Sequence, residues 1–200
     1  FVDLQLPINI ANNLNFMRGD FLTDKGLPEL YVALLQNAFT VGESNASKVN
    51  GYVTVLNQSQ MVFPVGDETE YRPLTLEGDV FPLAKCAYFR EDPNSPSAFP
   101  PFRTDLKPRT IESISNREFW RLEGSSSGQV SLTWNPNSNL GAIAEDVSEI
   151  VLVGWSKSAQ RWISLGTQST AGDLSNGFAL SEPIVPDAFE VLTFGSLAEP

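Results

Sequence analysis

The densest set of reactive side chains lies in Met61–Leu76, MVFPVGDETEYRPLTL, where Asp67, Glu68 and Glu70 precede Tyr71 and Arg72. Carboxylate oxygens so close together suit a hard cation, and one reading is a calcium site on Asp67, Glu68 and Glu70. Gly66-Asp67 is also what a tight connection between two strands asks for. Glycine permits a positive φ there, and aspartate caps its own backbone. The apolar stretches on either side favour that structural turn, formed by Gly66 and Asp67 and pinned by Tyr71 and Arg72. Arg72 would pair with Glu68 or Glu70, or stack on an aromatic ring.

Other chemistry is limited by what the chain lacks. With no histidine, Ser-His-Asp and Cys-His machinery and His-ligated metals are excluded. Cys86 is the single cysteine, and its apolar neighbours in LAKCAYF read as core. Glycoside hydrolysis needs two opposed carboxyl groups, but nothing in the sequence pairs any two of Glu118, Glu123, Asp146 and Glu149. No catalytic residue is assigned. Trp120, Trp134, Trp155 and Trp162 all fall in the second half. Exposed aromatic rings on a sheet would stack on sugars, so Trp155 and Trp162 are candidate glycan contacts. The competing reading puts them in the core with Phe119, Leu132, Leu152 and Ile163.

The elements that would hold these residues read as strands. FVDLQLPINI alternates, with Val2, Leu4, Leu6, Ile8 and Ile10 on one face, and Pro7 marks an edge position or a break. In Leu27–Phe39, LYVAL favours a strand over a helix. YVTVL, QMVFPV, YRPLTLE and FPLAKCAYF follow, each bounded by turn residues. Residues 91–110 hold five of the 14 prolines and form an extended connector. Beyond it come REFWRLEG, GQVSLTWN, SEIVLVGWS, RWISLGTQ, GFALS and FEVLTFGS. In Ile150–Trp155 both alternating faces are apolar, as for a strand covered on both sides. Short strands at regular spacing predict an all-β, antiparallel β-sandwich of jelly-roll or Ig-like type. The expected divisions are an N-terminal β region (1–90), the connector (91–110) and a C-terminal β-sandwich region (111–200) within one compact unit, the connector either crossing the surface or joining two packed half-sandwiches.

Two hundred residues at 42% hydrophobic and 18% charged suffice for a core without disulfides or metal. A net charge of −11 opposes nucleic-acid binding. No apolar run is long enough to span a bilayer, and nothing at Phe1 resembles a signal peptide, so a mature, soluble product is expected.

Several stretches together resemble a module of exported Bacteroidota surface proteins. They are NASKVNGYVTV, MVFPVGDETEYRPLTL, ISNREFWRLEG, QVSLTWNPNS, VLVGWSKSAQRWISLG and FEVLTFGS, in that order from Asn45 to Ser196. The resemblance implies an adhesin-like β-sandwich carried by the type IX secretion route, extracellular or on the cell surface. It also implies a sorting-domain junction near Leu197-Ala-Glu-Pro200. It transfers no catalytic residue and no cofactor. The expected function is structural or adhesive and non-enzymatic, with partners being copies of the chain, other surface proteins or polysaccharide. In its sharper form, residues 1–10 add as a strand to a neighbouring copy and build a filament, with Val2, Leu4, Leu6, Ile8 and Ile10 filling its groove. The alternative function is a carbohydrate-binding module using exposed Trp or Tyr.

Overall fold

The structure, a computed structural model, describes residues 1–198; Glu199 and Pro200, the end of the expected junction, lie outside the described residues. The chain begins as a short stack of parallel coils. Strands β1 (Val2–Asp3), β2 (Ile8–Ile10) and β3 (Asn13–Asn15) make one coil, and β4 (Phe21–Leu22), β5 (Tyr31–Leu34) and β6 (Phe39–Val41) make the next. A third begins with β7 (Val49–Asn50) and the start of β8 (Tyr52–Phe63). Each pairing is parallel: Val2 stacks on Phe21 and Phe21 on Val49, Ile8 on Val32 and Val32 on Val53, and Leu14 on Thr40. Residues 1–10 therefore do not run as one strand free to be donated. The chain bends at Gln5 and Leu6, and Leu6 leaves the shared face at 74% exposure. Leu4 is buried, while Ile8 and Ile10 are half-buried against the core.

From β9 (Leu74–Phe89) onward the strand pairings are antiparallel. The remaining strands are β10 (Ile111–Ile114), β11 (Phe119–Gly124), β12 (Gly128–Trp134), β13 (Ile150–Ser156), β14 (Arg161–Ser164), β15 (Ser169–Gly172), β16 (Gly177–Leu180) and β17 (Phe189–Leu197). The long strand β9 organises them. Its first part pairs with β12 and its last part with β11, while β8 runs along its other edge. Two arms diverge from it, β11-β17-β13-β14 and β12-β16-β15, with β10 added to β17. The arms meet across the main core, where Trp134 of β12 lies edge-on to Phe194 of β17 at 5.6 Å between centroids. The result is an all-β, mostly antiparallel sandwich. Strands from both sides of the connector share one sheet, so the molecule does not divide into two half-sandwiches there.

A second core covers the outer face of the β9-β11-β17-β13 sheet. Its members include Phe89, Phe119, Val151, Val153, Trp155, Trp162 and Val191. Residues 91–110 form the cover: Phe99 and Phe102 pack onto it, and the Phe102 carbonyl accepts the Trp162 indole N–H at 3.1 Å. This explains why every residue of β13 is buried, since its two faces look into different cores. Trp155 and Trp162, 6% and 0% exposed, present no ring for a sugar, because burial of so much apolar surface outweighs display.

Candidate functional site

Residues 64–73 connect β8 to β9. Val65 bridges to Val49, and Gly66 bridges to Tyr71. The tip turns at Asp67–Glu70, where the Asp67 amide donates to the Glu70 carbonyl at 3.0 Å. The Asp67 side chain accepts from the amides of Thr69 and Glu70 at 2.8 and 2.7 Å and from the Thr69 hydroxyl at 3.0 Å. Partial burial pushes this carboxyl up. The two amides, the hydroxyl and nearby Arg90 outweigh that and hold it below the usual aspartate value. Gly66 does not adopt a positive φ. It is required by close approach instead: a Cβ there would lie 2.1 Å from the Glu70 carbonyl oxygen and 2.7 Å from Lys48 Cδ.

The three acids do not converge. Asp67 serves the turn and Glu68 is exposed. Glu70 is buried, accepts from the side-chain amides of Asn135 and Asn137, and lies 3.9 Å from Arg90. Among the described residues no three His, Cys, Asp or Glu side chains gather as a metal-ligating group. The calcium reading of Asp67, Glu68 and Glu70 is corrected accordingly, because Asp67 and Glu70 already accept from protein donors and Glu68 is exposed apart from them.

Arg72 pairs with neither Glu68 nor Glu70. It crosses to Glu118, immediately before β11, with Nε 3.1 Å from Oε2 and Nη2 2.6 Å from Oε1. Nη2 also donates to Ser138 Oγ at 2.7 Å, on the 3-10 turn Pro136–Ser138. Tyr88 Oη donates to Glu118 Oε2 at 2.7 Å. The guanidinium lies 5.5 Å from the Trp120 ring centroid and 5.9 Å from that of Tyr88. All five residues are buried. Burial, and then the Glu118 charge, push the Tyr88 hydroxyl far above the ordinary tyrosine value, so it stays a donor.

Chemically this cluster is closed. Glu118 receives three strong donors and has no solvent face, so it offers neither a base nor a nucleophile to a bound molecule. The other acids weighed for hydrolysis are dispersed. Glu123 lies 3.3 Å from Arg121 and 3.6 Å from Lys85. Asp146 caps the Ser148 amide, and Glu149 accepts from the Glu145 amide. Cys86 is buried, and burial pushes its thiol well up.

Two lysines escape the sequence reading. Lys48 has no exposed surface; its ammonium lies 3.0 Å from Asp20 and donates to the Asn45 carbonyl at 2.9 Å. Lys25 lies over the Phe89 ring at 5.4 Å and donates to the Gly66 carbonyl at 3.3 Å. Burial pulls it down to about 8, with Asp67, Glu91 and Glu68 acting in the opposite direction. Both brace the turn from the coil stack.

An open groove of about 620 Å³ lies between Glu112, Ile143, Glu145, Glu149 and Leu197, and it contains no member of the Arg72 cluster. Among the described residues no helix is long and apolar enough to cross a membrane. Comparison with known protein families, curated proteins and solved structures finds no match.

Proposed function

We propose that the chain is a non-enzymatic structural module of an extracellular surface protein, in which a rigid sandwich terminates a stack of parallel coils and presents its loops to a partner. The observation that carries this reading is the sealed Arg72–Glu118–Tyr88 cluster. The side chains best suited to chemistry are consumed in joining the β8–β9 connection to β11 and to the 3-10 turn at 136–138. The net charge of −11 favours solubility, and the resemblance of the six stretches from Asn45 to Ser196 to exported Bacteroidota surface modules is what supports the adhesin-like, type IX reading. The partner is another surface protein or a polysaccharide, met through loops and not through Trp155 or Trp162. Antibodies raised against the folded chain should label intact producing cells, and external protease should remove the label. Labelling only after lysis would overturn the extracellular assignment.

A further inference from the structure

We propose that the groove between β6, β8 and the 64–73 connection is a binding site for an arginine side chain presented by a partner protein. It opens where the coil stack ends. β8 pairs with β5 over Tyr52–Val55 and then runs on along β9, while β6 pairs only with β3, so beyond Val55 the two strands part. A β-bulge breaks the β8–β9 register between Gln58 and Gln60, and Asn57 beside it has a φ of 53°. Bulges re-aim side chains. Here the Gln58 amide nitrogen spans the gap, donating to the Leu35 and Ala38 carbonyls at 3.2 and 3.1 Å. The space left beside it is about 310 Å³, which suits one side chain better than a stretch of polysaccharide. Every lining residue falls between Leu34 and Tyr71, so the groove is built from the interior of the sequence.

The lining selects a planar cation. Leu34, Val55 and Met61 form an apolar floor along which a methylene stem can lie. Phe39, 57% exposed, and half-buried Tyr71 supply aromatic rings, whose faces attract a guanidinium. Glu43 is half-buried in the same groove and forms no salt bridge among the described residues. Burial, and then the Glu43 charge, push the Tyr71 hydroxyl up to about 12, so the phenol keeps its proton. No lysine or arginine lines the groove.

Hydrogen-bonding capacity points the same way. Gln58 commits both amide hydrogens to carbonyls, which leaves its Oε1 as an acceptor, and the Gln60 nitrogen donates to Glu77. Uncommitted acceptors and one uncompensated negative charge therefore face the space. Arginine brings five donors in a planar fork, enough for the Glu43 carboxylate and an amide oxygen together. A neutral sugar would leave Glu43 half-buried and uncompensated. The net charge of −11 draws a basic partner toward the chain. The proposal deepens the reading of a module that meets a partner surface. Probe binding by the purified chain does not depend on where the chain resides, so its failure leaves the cell-labelling result standing.

The test titrates N-acetyl-arginine amide into the full chain and follows backbone amide signals by NMR. Physiological salt screens diffuse attraction to the acidic surface, and N-acetyl-citrulline amide serves as the neutral isostere. The arginine probe should shift the signals of Phe39, Thr40, Glu43 and Tyr71 saturably, with a millimolar Kd, and the citrulline probe should bind about tenfold more weakly. Glu43→Gln should lose about tenfold in affinity at an unchanged unfolding midpoint. Glu145→Gln, on the separate groove, should bind as wild type does. Phe39→Ala changes an exposed ring, so it decides the matter should Glu43→Gln fail to fold, and it should weaken binding several-fold. Equal binding of the two probes, tighter binding of N-acetyl-lysine amide, or no saturable shift at these residues would overturn the proposal. So would a folded Glu43→Gln or Phe39→Ala protein with wild-type affinity.

Discussion

Trp120 holds Arg72 twice: its indole N–H donates to the Arg72 carbonyl at 2.9 Å, and its ring lies 5.5 Å from the Arg72 guanidinium. The backbone contact fixes the start of β9, and the ring contact fixes the side chain that reaches Glu118. Trp120→Phe keeps most of the ring and removes the donor, leaving a buried carbonyl without its partner. A loss of about 1–3 kcal/mol is expected, read from urea unfolding with the slope unchanged.

Trp155 and Trp162 meet edge-on at 5.8 Å inside the second core. Trp162→Ala should cost about 3–5 kcal/mol, the usual range for emptying a buried aromatic site. In a glycan-binding assay, any signal lost in Trp162→Ala should fall in proportion to the folded fraction measured by near-ultraviolet dichroism. A folded variant of wild-type stability that had lost sugar binding would restore the carbohydrate reading.

Gly66 and Gly141 make a matched pair of probes. Alanine at 66 places a Cβ against the Glu70 carbonyl and Lys48, whereas alanine at 141 meets nothing within 4 Å. Gly66→Ala should destabilise by about 1–3 kcal/mol, seen as a melting temperature lower by about 2–4 °C per kcal/mol. Gly141→Ala should melt within about 1–2 °C of wild type, as surface substitutions clear of such contacts do.

Lys25 gives the stability a pH dependence of known sign. Burial holds it at about 8 against an ordinary 10.5. The folded chain therefore carries fewer protons than the unfolded chain between those values, and stability rises with pH across that window. Wild type should gain on the order of 2–3 kcal/mol relative to Lys25→Met between pH 7 and 10.5. Taking the difference cancels Tyr71, which burial pushes up to about 12, and the other tyrosines. A flat difference would show that the ammonium is solvated in the folded state.

The sandwich was readable because its strands are long enough to carry a pattern. Ile150–Trp155 is apolar on both alternating faces, and all of β13 is buried. LYVAL is the strand β5 with its flanking residue. The coil stack was not readable, since strands of two or three residues such as Val2–Asp3 and Phe21–Leu22 span too little chain for a period, and parallel rungs join residues 19–28 apart. Arg72 and Glu118 were each visible as reactive types, but they lie 46 residues apart and flank opposite ends of β9, Arg72 before its start and Glu118 opposite its end, so they meet only across the core of the folded sandwich. Lys48 sits in a segment whose Gly, Asn and Ser content reads as solvated loop, and its burial follows from Asp20 closing over it.

The decisive measurement is a double-mutant cycle on Arg72 and Glu118, with folding free energy from urea unfolding and a broad polysaccharide-hydrolysis panel run on the same proteins. Arg72→Met and Glu118→Leu should each cost about 3–5 kcal/mol, because each strands a buried partner, and the double variant Arg72→Met/Glu118→Leu should recover more than half of their summed loss, with Glu118→Gln run beside the cycle as the isosteric variant. No variant should differ from wild type on the panel. A Glu118→Gln protein as stable as wild type that has lost a measurable wild-type turnover would contradict the structural reading and place an active acid where a lock is described.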